Sequence, residues 1–336
     1  MKVLVAGWFS FEKTGATAGD LLAKDLVCDW VKQAGYTYDI ALASQFGGGV
    51  DWAVVNPNDY SHLIFVCGPF FRSNLLKRFE NCRLVGINLS MMESVDLWNP
   101  FDLLLERDSS HGARPDLTFL ARERSVPVVG VTLNRTPDVP RNRESYETAN
   151  AAVERFIALQ ELSAVHIDTR LDITNTSGLR SPAEIESLIS RMDVVLTTRL
   201  HGMVLALKNG VPVVAVDPVP GGKICRQAET IGWPVVFSID SLTHEDLQKG
   251  LDYCLTEVAR QKAKECSQKA MKRLQEVRAT FIAAMDASSS STQQWGDGRR
   301  RGSWVAENVP LASAQNKPGI PLPHLVRRLI RILKDG

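Results

Sequence analysis

Short runs of Val, Ile and Leu recur along this chain, each continuous rather than alternating, and stretches with helical periodicity separate them as far as about residue 285. Continuous apolar runs suit strands buried on both faces of a parallel sheet, and strands alternating with helices imply βαβ units joined by right-handed crossovers. The runs fall into two sets. In the first, Lys2 to Ala6, HLIFVCG (62–68) and RLVGINL (83–89) read as strands. A helix is expected from Asp20 to Ala34, where Leu22, Leu26, Trp30 and Val31 share a face and Gly35 ends it. The stretch Asn99 to Pro115 reads as irregular.

The second set opens with VPVVGVTL (126–133). A helix follows over roughly 143–162, then strand AVHID, a helix from Ser181–Pro182 and strand DVVLTTR. A short helix at 200–209, strand VPVVAVD, a helix after Gly222, strand PVVFSI and one long polar helix from Thr243 to about Asp286 complete it. The expectation is an α/β fold of two Rossmann-like lobes facing a cleft, with a boundary near 125/126. From Ala287 the Ser-, Gly- and Arg-rich composition reads as a linker to about 320, and the whole tail as flexible. Residues 321–336 form a short basic amphipathic helix by pattern, with Leu325, Val326, Leu329, Ile330 and Leu333 on one face. Such a helix suits a membrane surface or a groove on protein; docking on protein is favoured, since so short a helix gains little from lipid alone.

Composition narrows the function classes. The formal charge of +1 gives no bulk attraction for nucleic acid, so an anionic substrate must be held by a few local cations. None of the six cysteines lies in a C-x-x-C pair, which fits reduced thiols and a cytoplasmic location, with peripheral contact at the inner face of the membrane as the role left to the terminal helix. The start, MKVLVAGWFS, reads as a strand rather than a signal peptide, and no run approaches the roughly 20 apolar residues that span a bilayer. The six histidines show no metal-binding spacing, so no metal and no cofactor is expected, and neither a G-x-S-x-G nucleophile nor a phosphate-binding P-loop is present.

The most informative segment is DVVLTTRLHGMVLALKNGVPVVAVDPVPGGK (193–223). A buried strand runs into Arg199 and His201 at a helix start, the place where open α/β sheets bind ligands. Backbone N–H groups there favour an anion. Gly202 allows close approach of a ligand or a neighbouring backbone, and Lys223 brings a further cation to the same edge. The bland reading is an Arg199 ion pair and a helix-capping His201. Trp8, Phe9 and Phe11 after the first strand can stack on a sugar face or pack in a core, and Gly47–Gly49 reads as a loop.

These residues carry a family resemblance. TTRLHGMVLAL, GVPVVAVD, Lys223 and AETIGW together resemble the C-terminal signature of polysaccharide pyruvyl transferases. Gly7 with Gly19–Asp20 is similar to the family's glycine-rich first loop, and Arg107–Asp108–Ser109–Ser110 to an Arg-Asp…Ser stretch; Thr17–Ala18 and CGPFF depart from the pattern in the lobe expected to hold the acceptor. The resemblance implies a GT-B-like arrangement, with an acceptor lobe over 1–125 and a donor lobe over 126–286. It implies transfer of a pyruvyl group from phosphoenolpyruvate to sugar hydroxyls of a polysaccharide or glycan precursor, forming a ketal and releasing phosphate. His201 would be the general acid and Arg199 the donor-binding cation. Lys223, Arg135, Gly202 and Asp20 would contact substrates, Arg135 having a loop pairing with Asp138 as its equal alternative. Two rival readings are a nucleotide-sugar glycosyltransferase, with Glu229 as the nearest acid for a ribose, and a non-catalytic scaffold of the same fold.

Overall fold

The computed structural model describes residues 1–9, 15–41, 49–122, 125–135, 143–173, 175 and 177–289. Phe11, Gly47, Gly48, Asp138 and the expected terminal helix lie outside them. The chain divides into two compact units, Met1–Ala263 and Lys264–Gly336.

The first half of the larger unit supplies β1 (Lys2–Gly7), α1 (Ala18–Gln33), β2 (Thr37–Ala41), β3 (Gly49–Val50), β4 (His62–Val66) and β5 (Pro69–Phe70). It continues through β6 (Arg83–Ile87), β7 (Ser90–Met91), β8 (Leu103–Leu105), β9 (Asp108–Ser109) and β10 (Gly112–Ala113). Six of these form one parallel sheet in the order β3-β2-β1-β4-β6-β8. That is a Rossmann order, three strands to each side of the point where the winding reverses. β1 explains why the sheet is covered on both faces. Val3 and Val5 join one buried cluster with Ala23, Val27 and Val31 of α1, while Leu4 and Ala6 join another with Leu63, Phe79 and Phe101. The helix starts where its cap chemistry dictates: the Thr17 hydroxyl accepts from the Asp20 N–H, and the Asp20 carboxylate accepts from the Thr17 N–H. Its end is followed by Gly35 at φ +84°.

The sequence pattern misses several features here, including the short strands β5 and β7, and β3, in which Gly49 pairs although it reads as part of a loop. α1 begins two residues before the expected Asp20. TYDIA pairs as β2 although Tyr and Asp interrupt its apolar run. The stretch expected to be irregular contains β8, β9 and β10, and the last two join β7 and β5 in a small four-stranded sheet.

The second half supplies β11 (Val128–Thr132), α2 (Arg143–Ala158), β12 (Ser163–His166), α3 (Pro182–Ile189), β13 (Val194–Thr197), α4 (Leu200–Lys208), β14 (Val213–Asp217), α5 (Lys223–Ile231) and β15 (Val236–Ser238). All five strands are parallel, in the order β12-β11-β13-β14-β15. This is the other common doubly wound order, and it reverses between β11 and β13. β13 and β14 are buried at every residue, as continuous apolar runs require. The single long helix expected from Thr243 is two helices, α6 (His244–Cys254) and α7 (Glu257–Ser289). Leu255 caps α6, and the Thr256 hydroxyl accepts from the Ala259 N–H, so a cap signal inside an otherwise helical pattern makes the break. α7 runs to Ser289, so the first three residues of the linker expected from Ala287 are helical, and the rest of it lies outside the described residues.

Candidate functional site

A cavity of about 330 Å³ opens at the reversal point of the second sheet. Its walls are Asn134 beyond β11, Thr169 and Arg170 beyond β12, Thr198 to His201 beyond β13, Tyr146 of α2 and Lys223 of α5. Every strand edge that the winding brings together thus contributes, as the topology predicts.

Hydrogen bonds between buried side chains build the floor. The Thr132 hydroxyl donates to the Thr197 hydroxyl at 2.5 Å; Thr197 donates to the Thr132 carbonyl and accepts from the Arg199 N–H at 2.9 Å. Against this pair lies Gly202, where a Cβ would overlap both hydroxyl oxygens. The next residue makes a second knot. Thr198 donates to Asn150 at 2.7 Å and accepts from the Asn134 N–H at 2.9 Å, while the Asn150 amide donates to the Asn134 carbonyl at 3.0 Å.

Arg199 precedes α4 as its N-cap residue, and no side chain caps that helix. Its guanidinium donates to the Leu133 carbonyl at 3.0 Å and to the Thr169 hydroxyl at 3.2 Å, and stands 3.7 Å from the Asp168 carboxylate. With 13 % of its side chain exposed, the arginine is anchored on one side and reaches the cavity on another. His201 is exposed on the first turn of α4, its ring without a hydrogen bond or ion pair to any described residue. Lys223, the first residue of α5, likewise has no ion pair to a described residue.

The two helix starts at this edge differ. Asp217, 2 % exposed at the end of β14, accepts from the N–H groups of Val219, Ile224 and Cys225 at 3.1, 3.0 and 2.9 Å. A Cβ on Gly222 would sit 2.6 Å from the Val219 carbonyl oxygen and against this carboxylate. The amides of Ile224 and Cys225 that begin α5 are therefore satisfied internally, whereas α4 begins with no side-chain cap at Leu200 and His201, which line the cavity. Burial, with Asp217 next, pushes the Cys225 thiol up to about 11.

Arg199, His201 and Lys223 share this cavity; the other candidates do not line it. Gly202 lies beneath it, and the close approach it allows is to threonine side chains. Arg135 pairs with Glu154 at 2.7 Å on the surface. Asp20 is occupied with capping α1. Phe9 is fully buried in the first lobe, and the Trp8 indole donates to the Pro69 carbonyl. Arg107 is held by Asp108, Asp116 and Ser90. Sequence reasoning missed Arg170, Tyr146 and the positioning residues Asn150, Asp168 and Asp217. Asp217 carried a readable signal, an acid ending a buried strand just before a glycine turn and a helix; Tyr146 and Asn150 carried none beyond helical spacing. Among the described residues, no group of three or more His, Cys, Asp or Glu side chains could hold a metal.

The cavity, apart from Lys223, lies within a segment that an independent family description recognises. Residues 114–218 match the polysaccharide pyruvyl transferase family. The match spans β11 to β14, including the Arg-Leu-His core that carried the resemblance. No curated protein matches this chain. Among solved structures, spinosyn forosaminyltransferase SpnP is 14% identical, with 83% of this chain and 99% of that chain covered at a TM-score of 0.30. The glycotransferase of kitacinnamycin is 11% identical, covering 84% and 98% at 0.32. The UDP-GlcNAc 2-epimerase of Methanocaldococcus jannaschii, solved with UDP-GlcNAc and UDP, is 10% identical, covering 82% and 100% at 0.27. At such scores these likenesses carry no argument, and the fold rests on the two strand orders.

Proposed function

We propose that this chain is a pyruvyl transferase that takes its pyruvyl group from phosphoenolpyruvate and delivers it to a pair of saccharide hydroxyls. The observation that carries the reading is the cavity itself, small and polar, with Arg199, Lys223 and the uncapped start of α4 around one exposed imidazole; Arg170, which also lines it, is paired with Asp172 at 2.7 Å. A compact dianionic donor needs that concentration of positive potential, and a guanidinium can grip a carboxylate or a phosphate through two N–H groups.

In this reading Arg199, fixed by Leu133, Thr169 and Asp168, orients the donor, with Lys223 and the α4 amides neutralising its other anionic end. The imidazole is the side chain suited to proton transfer near neutral pH. His201 gives its proton to the terminal methylene carbon as the double bond opens, and an acceptor hydroxyl adds to the central carbon, releasing its proton to the imidazole. The carbon–oxygen bond to phosphate then breaks, phosphate leaving with the proton held on the imidazole, and the second hydroxyl adds to the same carbon, returning its proton to the imidazole and closing the ketal. No helix among the described residues is long and apolar enough to cross a membrane; saccharides at a membrane or in solution both remain within reach of this chemistry.

The test is to incubate the purified protein with phosphoenolpyruvate and a panel of saccharides, following phosphate release and the mass gain of the acceptor. His201→Ala should lower the rate by about 10²–10⁴-fold while keeping the thermal midpoint, because the ring is exposed. Arg199→Lys should raise the donor KM. A folded His201→Ala variant with parental rates would remove the mechanism. A thermal shift with a nucleotide diphosphate sugar and none with phosphoenolpyruvate would favour a glycosyltransferase instead.

A further inference from the structure

α7 carries a surface that the proposed activity does not use. Its early residues Ala259 and Ala263 are buried, but the same helical face continues as Met271, Leu274, Val277, Phe281 and Ile282, all exposed; Leu274 is 61% and Phe281 64% exposed. At 100° per residue these five span a sector of about 140° centred near Leu274, wider than the narrow seam of a coiled coil. Arg278 lies inside the sector and Lys264 and Arg273 flank it, while Glu265 and Glu276 fall on the opposite side. Exposed apolar area of this extent is uncommon on a surface that meets only water.

Charge selects the occupant. Between residues 262 and 278 the helix has six Lys or Arg against two acids, so a second copy of the helix would meet like charge. Residues 290–336 have eight Lys or Arg against three acids, so the chain's own terminal segment is no complement either. We infer that the exposed face of α7 beyond Lys264 docks on an anionic lipid surface, its Met, Leu, Val, Phe and Ile side chains entering the headgroup boundary and Lys264 and Arg278 pairing with lipid charge. Over residues 264–282 the apolar sector holds no acid and has cations in it and beside it, which is what an interfacial helix requires. The inference stands apart from the pyruvyl transfer reading and does not depend on it.

The full chain should co-sediment with vesicles of phosphatidylcholine mixed with phosphatidylglycerol, bind phosphatidylcholine vesicles far less, and detach as salt rises. The double variant Leu274→Ser with Phe281→Ser should lower partitioning about tenfold or more, with an unchanged thermal midpoint since both side chains are exposed. Leu329→Ser with Ile330→Ser should bind as the parent does. Three results would overturn the inference: no binding to the mixed vesicles, undiminished binding by the α7 variant, or loss of binding through the 329/330 variant alone. A parental oligomer that Phe281→Ser converts to monomer would reassign the face to self-association and overturn it as well.

Discussion

Replacing Asp217 with alanine tests whether one carboxylate sets the position of Lys223. The side chain is almost fully buried and accepts three backbone N–H groups, two of them from the first turn of α5. A hydrogen bond to a charged group contributes about 1.5–3 kcal/mol, and losing a helix-start acceptor about 0.5–2 kcal/mol. These terms overlap, because water can reach part of the freed turn, so a total near 3 kcal/mol is expected. That corresponds to a roughly 150-fold increase in the open population of this turn. Hydrogen exchange on a peptide covering 219–231 reads it directly: the amides of Ile224 and Cys225 should lose protection by that factor, while β13 and β14 stay protected. Asp217→Asn, which keeps one carbonyl oxygen, should lose about 1 kcal/mol. Because Lys223 begins α5, phosphoenolpyruvate binding should weaken in parallel with exchange. Unchanged protection in Asp217→Ala would refute the claim that this acid organises the edge.

Gly202→Ala forces a methyl group into the Thr132–Thr197 hydroxyl pair, and overpacking with a broken buried hydrogen bond should cost about 2–4 kcal/mol, read by urea unfolding. Burial pushes the Glu106 carboxyl up, but its hydrogen bonds, including those from Arg114 and Ser109, outweigh that and leave it below the usual range. A depressed folded value means the contribution is complete above the unfolded carboxylate range and disappears as pH falls through the folded value. Glu106→Gln should therefore flatten the acid limb of thermal midpoint against pH. Cys225, pushed up to about 11, should resist iodoacetamide at about pH 8 in the native protein and react once unfolded.

Half the strands of the first parallel sheet and all five of the second were legible because parallel strands buried on two faces leave long apolar runs, as in VVLT of β13 and VVAVD of β14. The winding point was legible only indirectly: TTRLHG announces a strand end meeting a helix start, and that signal found Arg199 and His201. What the pattern could not supply are partnerships across the sheet. Asn150 lies mid-helix and reaches Thr198, which is 48 residues away, and nothing local distinguishes it from a solvated asparagine. Arg170 belongs to a loop whose neighbour in space is set by strand order. β2 hid for the opposite reason, since Tyr38 and Asp39 look like surface positions; the Asp39 carboxylate accepts from the Tyr60 hydroxyl at 2.6 Å and pairs with Lys2 at 2.7 Å.

The tie among Asn134, Asn150 and Thr198 has a thermodynamic corollary. Two loops and a helix are locked together before any donor arrives, so little ordering entropy has to be recovered when one binds. Calorimetry on such a rigid pocket should find association dominated by enthalpy, and loosening Asn150 should show itself first as an entropic penalty.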